Sequence, residues 1–390
     1  MGYFLPDESV ENLKLYKYQS EDHSLVSKYI LKPFWVCFEQ IFPSSMAPNL
    51  VTLTGLGFVI INVLLVMIYD PYLNQESPRW VYFAHAFGIF MYQTFDGCDG
   101  IHARKTGKSG PLGELFDHSI DSINTTLCVI IFSSMIGCGY SYLALYNQFA
   151  LLCNFYLSTW EEYHTHILFL SEISGPVEGI IGIVSAFVLT GIVGPKLLWH
   201  TTVFTFTLSD GQIVDFDTSH LFLTILSIGV LFNIIMARRN VLNYYSGNKI
   251  LLNERANVKQ AMQGLLPFFI YYISVAIVVY IEPQFVGFAF IISIGFTMAY
   301  VVGRIIVHHL TKQDFPMFNF PTLLPMVQLI IYLILVKGLN HNTTDTVKAL
   351  CWMGFGVSLG THGFFMNEII YEFTSFLDVY ALTIKHPKHT

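Results

Sequence analysis

Residues 96–121 read DGCDGIHARKTGKSGPLGELFDHSID, in a chain of 390 residues that is 53% hydrophobic and 12% charged. The segment joins two apolar stretches, about 80–98 and 116–139, each close to the roughly 20 residues that a membrane-spanning helix needs. Its middle, KTGKSGP, is basic and rich in Gly and Pro, the composition of a turn. The reading is a helical hairpin closed by a short basic turn. Asp96 and Asp99 stand at i and i+3 on one face of the first arm, and Asp117 and Asp121 at i and i+4 on one face of the second. If the faces meet, four carboxylates converge. They would repel and hold their protons unless a cation neutralised them. Hard oxygen ligands of this kind suit Mg2+ or Mn2+, and four of them can hold two ions, the arrangement used for phosphoryl displacement. Gly97, Gly100, Ala103, Gly110 and Gly113 allow a substrate and the neighbouring backbone to come close. Arg104, one turn from Asp99 and Gly100, offers a planar fork to phosphate oxygens. A salt-bridged surface hairpin is the plainer alternative, but the periodic acids have only Arg104, Lys105 and Lys108 as basic partners.

The rest of the chain places this hairpin in a membrane. A soluble domain carries about 25% charged residues, twice the share found here. Ten stretches are long and apolar enough to span: about 49–69, 80–98, 116–139, 141–168, 177–199, 219–237, 264–282, 284–307, 320–340 and 347–371. The fold class is therefore all-α: a polytopic integral membrane protein of about ten transmembrane helices, preceded by an interfacial amphipathic helix within residues 1–47. In the second half of that leader, apolar residues recur at helical spacing beside lysines. Residues 48–218 would hold the acidic hairpin and its neighbouring helices, 219–371 the additional helices, and 372–390 a cytosolic tail. With the N-terminus in the cytosol, sixteen of the twenty Lys and Arg fall on cytosolic stretches, as the positive-inside rule requires. The sequon at Asn342 then lies in a lumenal loop, and the one at Asn124 lies silent within a helix. No basic stripe suggests nucleic acid. The six cysteines have no paired spacing and read as small buried hydrophobes.

The hairpin fits the pattern D-x-x-D-G-x-x-A-R-x8-G-x3-D-x3-D without a gap, and that pattern resembles the signature of the CDP-alcohol phosphotransferases. MAPNLVTLTG, YQTFDGCDG, PLGELFDHSID, STWEEYHTH and GPVEGI extend the likeness to the choline/ethanolamine phosphotransferases, most closely the fungal ethanolamine-type members. Lys105 stands where many relatives have a second Arg. The resemblance implies transfer of phosphoethanolamine or phosphocholine from CDP-ethanolamine or CDP-choline to diacylglycerol, releasing CMP. It also implies an endoplasmic reticulum membrane, with the Golgi as a further location, an active site facing the cytosol, and a homodimer. By resemblance Asp96, Asp99, Asp117 and Asp121 are the metal ligands, with Asp96 and Asp117 bridging two ions. Asn49 and Arg104 would contact the CDP part. An alcohol needs a base within hydrogen-bond reach. His118, beside Asp117, is the candidate, with Glu114 at i−4 to accept its other N–H; Asp121 and Glu178 are rival bases. WEEYHTH (Trp160–His166) reads as a cavity wall or a juxtamembrane polar cluster and not as a metal site, since its four ionisable groups do not converge on one helix face. Enzymes of the same family with inositol, serine or glycerol phosphate acceptors are the nearest alternative. A secondary transporter would explain intramembrane acids, but not the Ala-Arg and glycine spacing.

Overall fold

The computed structural model describes residues 2–16, 20–22, 24–170, 176–207, 213–247 and 254–385. Among these residues fourteen α-helices follow in order: α1 (Asp7–Val10), α2 (Lys32–Phe38), α3 (Pro48–Tyr69), α4 (Arg79–Thr106), α5 (Pro111–Ile136), α6 (Tyr142–Thr165), α7 (Pro176–Val193), α8 (Pro195–Trp199), α9 (Thr218–Gly247), α10 (Glu254–Gln263), α11 (Leu266–Ile281), α12 (Phe288–Leu310), α13 (Leu324–Tyr332) and α14 (Thr343–Leu377). The described strands are short: β1 (Ser20–Asp22) pairs in parallel with β2 (Leu168–Leu170), and β3 (Thr202–Thr207) forms a hairpin with β4 (Ile213–Asp217). The protein is all-α and polytopic. Among the described residues six helical segments are long and apolar enough to cross a membrane, and each of the ten expected stretches is largely helical.

The hairpin forms as its sequence demands. The last turn of α4 closes on Gly107, left-handed at φ +67, while Lys108 N–H reaches back to the carbonyl of Ala103 at 2.8 Å. That six-to-one bond satisfies a carbonyl that the helix end leaves free. Pro111 then opens α5 at the position where a missing N–H costs nothing. Deep in the bundle, α12 is the most enclosed span, with 89% of its most apolar window buried, whereas only 17% of α9 is covered. α12 packs against α5, α6 and α14, and α4 lies between α3 and α7. α9 is thus the least covered of the six candidate spans, while α5 packs among α3, α6 and α12.

Several expectations need correction. The stretch 177–199 is two helices, because Gly194 sits at φ +106. Arg79 packs there and donates to the carbonyls of Gly191 and Ile192 at 3.2 and 3.0 Å, so this lumen-assigned arginine caps α7. The β3–β4 hairpin follows where none was expected. The segment 320–340 is α13 flanked by a 3-10 turn and a π-helical turn, and the last helix runs to Leu377. The leader is not one amphipathic helix. Among the described residues its first half holds only the short α1, a 3-10 turn and β1, whereas residues 25–41 are one continuous helical run, π-helical at its start and 3-10 at its end, whose Leu31 and Trp35 are buried while Tyr29, Ile30 and Val36 are exposed. Cys37 is exposed, unlike the other five cysteines, and all six are free. Asn342 caps α14, accepting from Asp345 N–H at 3.0 Å, and Asn124 is buried in α5. Lys17, Lys249 and Lys388 of the cytosolic set lie outside the described residues.

Glu39 fastens the leader to α4. Lys105 Nζ donates to one of its oxygens at 2.7 Å, and His102 Nδ1 lies 2.7 Å from the other. Burial pushes the Glu39 carboxyl up, but the hydrogen bonds from Lys105 and His102 outweigh it and hold it below its ordinary value of 4.5. Lys105, the departure from the family pattern, thus serves packing. His102 Nε2 also contacts the carbonyl of Met46 at 2.9 Å, and Met46 pairs with Thr383 in an isolated antiparallel bridge. The residues before α3 and those after α14 therefore meet at the end of the bundle where α4 turns into α5.

Candidate active site

α4 and α5 bring three of the four expected carboxylates together. Carboxylate oxygens of Asp96, Asp99 and Asp117 all lie within 4.8 Å of one another. Asp121 is outside this trio, with the Tyr92 hydroxyl donating to its Oδ1. Thr52 Oγ1 on α3 donates to Asp99 at 2.5 Å, and Gln93 Nε2 to Asp96 at 3.3 Å. No Lys or Arg pairs with any of the four aspartates among the described residues. Asp117 Oδ1 is buried without a hydrogen-bond partner. A buried carboxylate oxygen with neither donor nor cation is costly, so the trio fits a divalent metal by its donor chemistry as well as its geometry.

The small residues around the trio divide into two kinds. A Cβ added to Gly110 would meet nothing within 4 Å, one on Gly100 only Arg104 Nη1 at 3.5 Å, and one on Gly113 only Asn49 Oδ1 at 3.9 Å. These glycines border open space. Gly97 does not: its Cβ would lie 2.4 Å from the Trp35 ring, so its smallness admits α2 and not a substrate. Arg104 is exposed and makes no ion pair among the described residues, its guanidinium folded back over Gly100.

His118 is buried one residue beyond Asp117. Its Nδ1 lies 3.0 Å from the backbone carbonyl of Glu114. A carbonyl only accepts, so Nδ1 carries a proton, and Nε2 is the nitrogen left for other partners. Nε2 lies 3.2 Å from Glu162 Oε2 on α6. The partner expected of Glu114 is thus supplied by its backbone, and its carboxylate instead accepts from the Tyr16 hydroxyl at 2.6 Å. Within WEEYHTH, Glu162 turns inward to His118, whereas Glu161 accepts from Asn240 at 2.7 Å and His164 contacts Tyr245 at 2.9 Å, both on α9. Glu161 and His164 of the motif thus face α9, and Glu162 faces α5. Glu178 is half-buried and accepts from Ser24 Oγ. Asn49 donates to the carbonyl of Ala381 at 2.9 Å.

A family model described as CDP-alcohol phosphatidyltransferase matches residues 45–207. The chain is 56% identical to Choline/ethanolaminephosphotransferase 1 and 54% identical to Cholinephosphotransferase 1, both of Saccharomyces cerevisiae, with all of each chain covered. It is also 33% identical to Choline/ethanolaminephosphotransferase 1 of Arabidopsis thaliana over 98% of this chain and 99% of that one. The chain belongs to the CDP-alcohol phosphatidyltransferase family. The match to the family model runs from just before α3 to β3, and so includes the four aspartates, Asn49, Arg104, His118 and Glu162. Reasoning from sequence did not single out Thr52, Tyr92 or Gln93 in this CDP-alcohol phosphatidyltransferase. Gln93 carried a faint signal at i−3 from Asp96; Thr52 carried none, since only the packing of α3 on α4 brings it to Asp99.

Proposed function

We propose that the chain transfers phosphoethanolamine, and also phosphocholine, from CDP-ethanolamine or CDP-choline to 1,2-diacylglycerol, giving the phospholipid and CMP. The observation that carries this is the convergence of Asp96, Asp99 and Asp117 with His118 on the next residue of α5. Two divalent ions, Mg2+ or Mn2+, would be held by these three carboxylates and Asp121, and when bound they neutralise charge on the diphosphate. Arg104 reaches the phosphates with its fork, Asn49 contacts the nucleotide, and Gly100, Gly110 and Gly113 leave room for it. The acceptor hydroxyl gives its proton to the pair formed by His118 Nε2 and Glu162, and the Glu114 carbonyl keeps the imidazole in the tautomer that can take it. The hydroxyl oxygen bonds to the β-phosphorus as the bond to CMP breaks. Asp121, tied to Tyr92, and Glu178, tied to Ser24, are less suited to that proton. The same reading sets the site at the cytosolic face of the endoplasmic reticulum and of the Golgi, in a homodimer, with diacylglycerol arriving from the bilayer. Purified protein should release CMP from CDP-ethanolamine and from CDP-choline only with a divalent cation and diacylglycerol both present. CMP release that ignores diacylglycerol would mark a hydrolase and sink the proposal.

A further inference from the structure

After α14 the chain does not leave the bundle. Residues 379–385 turn back along the start of α3: Thr383 pairs with Met46, and the carbonyl of Ala381 takes the amide of Asn49. Met46 is itself held by His102 on α4, so this strap is fastened to the same helix that carries Asp96 and Asp99. A side-chain amide has two chemically opposite ends, an oxygen that only accepts and a nitrogen that only donates. A backbone carbonyl only accepts, so Ala381 admits Asn49 in one orientation: Nδ2 toward the strap, Oδ1 away from it. Oδ1 points to Gly113, the nearest atom that a Cβ there would meet, and it accepts no hydrogen bond among the described residues.

We infer that the strap orients Asn49 so that an acceptor faces the nucleotide base, and thereby selects cytidine over uridine. The inference rests on the reading of Asn49 as a contact of the CDP-alcohol. Cytosine presents an exocyclic amine, a donor, where uracil presents a carbonyl, an acceptor. Asn49 Oδ1 matches the first and opposes the second. A freely rotating asparagine would flip and serve either base; one whose nitrogen is claimed by Ala381 cannot flip without abandoning that bond. Rejection of a mismatched base is strongest where the polar group of the site would be left buried and unpaired. Ala381 is thus a positioning residue that acts through its backbone, and a change of its side chain alone would not reveal it.

The test uses full-length protein, with CDP-ethanolamine and UDP-ethanolamine as paired substrates and nucleotide release as the readout. Thr383→Pro disrupts the pairing with Met46, since proline cannot donate in a ladder and its ring crowds the partner strand. The preference for CDP over UDP should fall by roughly tenfold, the worth of one hydrogen bond. The change should appear in KM, with kcat at saturation nearly kept. In the Met46→Cys/Thr383→Cys variant, residues directly opposite in an antiparallel pair are near enough to be joined. Oxidation should then keep both turnover and preference. An unchanged preference in Thr383→Pro would overturn the inference, as would loss of turnover when the strap is tethered. Asn49→Ala separates the two levels: an unchanged KM for CDP-ethanolamine in that variant would remove the nucleotide reading of Asn49 itself, and the strap's role with it.

Discussion

Two glycines of the same hairpin should fail in opposite ways when given a methyl group. At Gly97 the new Cβ would lie 2.4 Å from two atoms of the Trp35 indole. That ring is rigid and 6% exposed, so α2 or α4 must shift. Overpacking of this kind costs about 1–3 kcal/mol, while exchanging Gly for Ala within a helix returns at most about 1 kcal/mol. Gly97→Ala should therefore lose on the order of 1 kcal/mol of stability. At Gly113 the new Cβ meets only Asn49 Oδ1, at an ordinary 3.9 Å. Gly113→Ala should fold as well as wild type or better, by up to about 1 kcal/mol, yet bind CDP-ethanolamine with a raised KM, because the methyl occupies the space left for the nucleotide. The assays are survival of activity after heating in detergent and the KM for CDP-ethanolamine. Trp35→Ala offers a further check: with the ring gone, adding Gly97→Ala should cost nothing more, a coupling that a double-mutant cycle measures. The reasoning fails if Gly97→Ala is as heat-stable as wild type, or if Gly113→Ala leaves the KM where it was.

The remaining expectations concern single side chains. His118→Ala should keep metal-dependent binding of the CDP-alcohol and lose about 100- to 10,000-fold in turnover, with Glu162→Gln losing turnover in the same direction; equal turnover in either variant would remove that residue from the proton transfer. Asp96→Asn should fail earlier, at divalent-cation binding measured by titration. Glu39→Gln should destabilise by about 1.5–3 kcal/mol, the worth of its charged hydrogen bonds. The contribution of Glu39 is fully present above its ordinary value of 4.5, because its folded value is lower. It is lost as the pH falls through that lower value, so the gap in heat stability between wild type and Glu39→Gln should narrow below pH 4.5. Asp70→Ala should cost about 3 kcal/mol and leave the KM unchanged, because Asp70 accepts from Ser134 at 2.6 Å and from the N–H groups of Asn74 and Gln75 at 2.8 and 2.9 Å.

What the sequence made legible follows from how local each feature is. The aspartate half-sites needed only helical spacing and one turn, and both are short-range properties that Gly107 and Pro111 enforce. The pairing of His118 with Glu162 joins α5 to α6 across a distance no spacing encodes, and the i−4 rule named the right residue, Glu114, but the wrong atom. The signal for Glu162 lay in its cost: an ionisable residue in an apolar helix calls for a partner, and sharing a face with its neighbours was the wrong criterion for finding one. The break at Gly194 was hidden because apolar composition measures partition into lipid and not backbone conformation.

The same distinction explains how so apolar a chain tolerates its acids. Where the acids have protein partners, the fold is closed: Asp70 among its three donors, Glu39 between Lys105 and His102. Among the aspartates, Thr52, Gln93 and Tyr92 satisfy one oxygen each on Asp99, Asp96 and Asp121, and Asp117 Oδ1 has none. Removing divalent metal should therefore weaken the α4–α5 hairpin specifically. Lowered heat stability in EDTA, reversed by Mg2+ in wild type but absent in Asp117→Asn, would identify that oxygen as the one whose burial a cation makes tolerable; equal EDTA sensitivity in the two proteins would refute it.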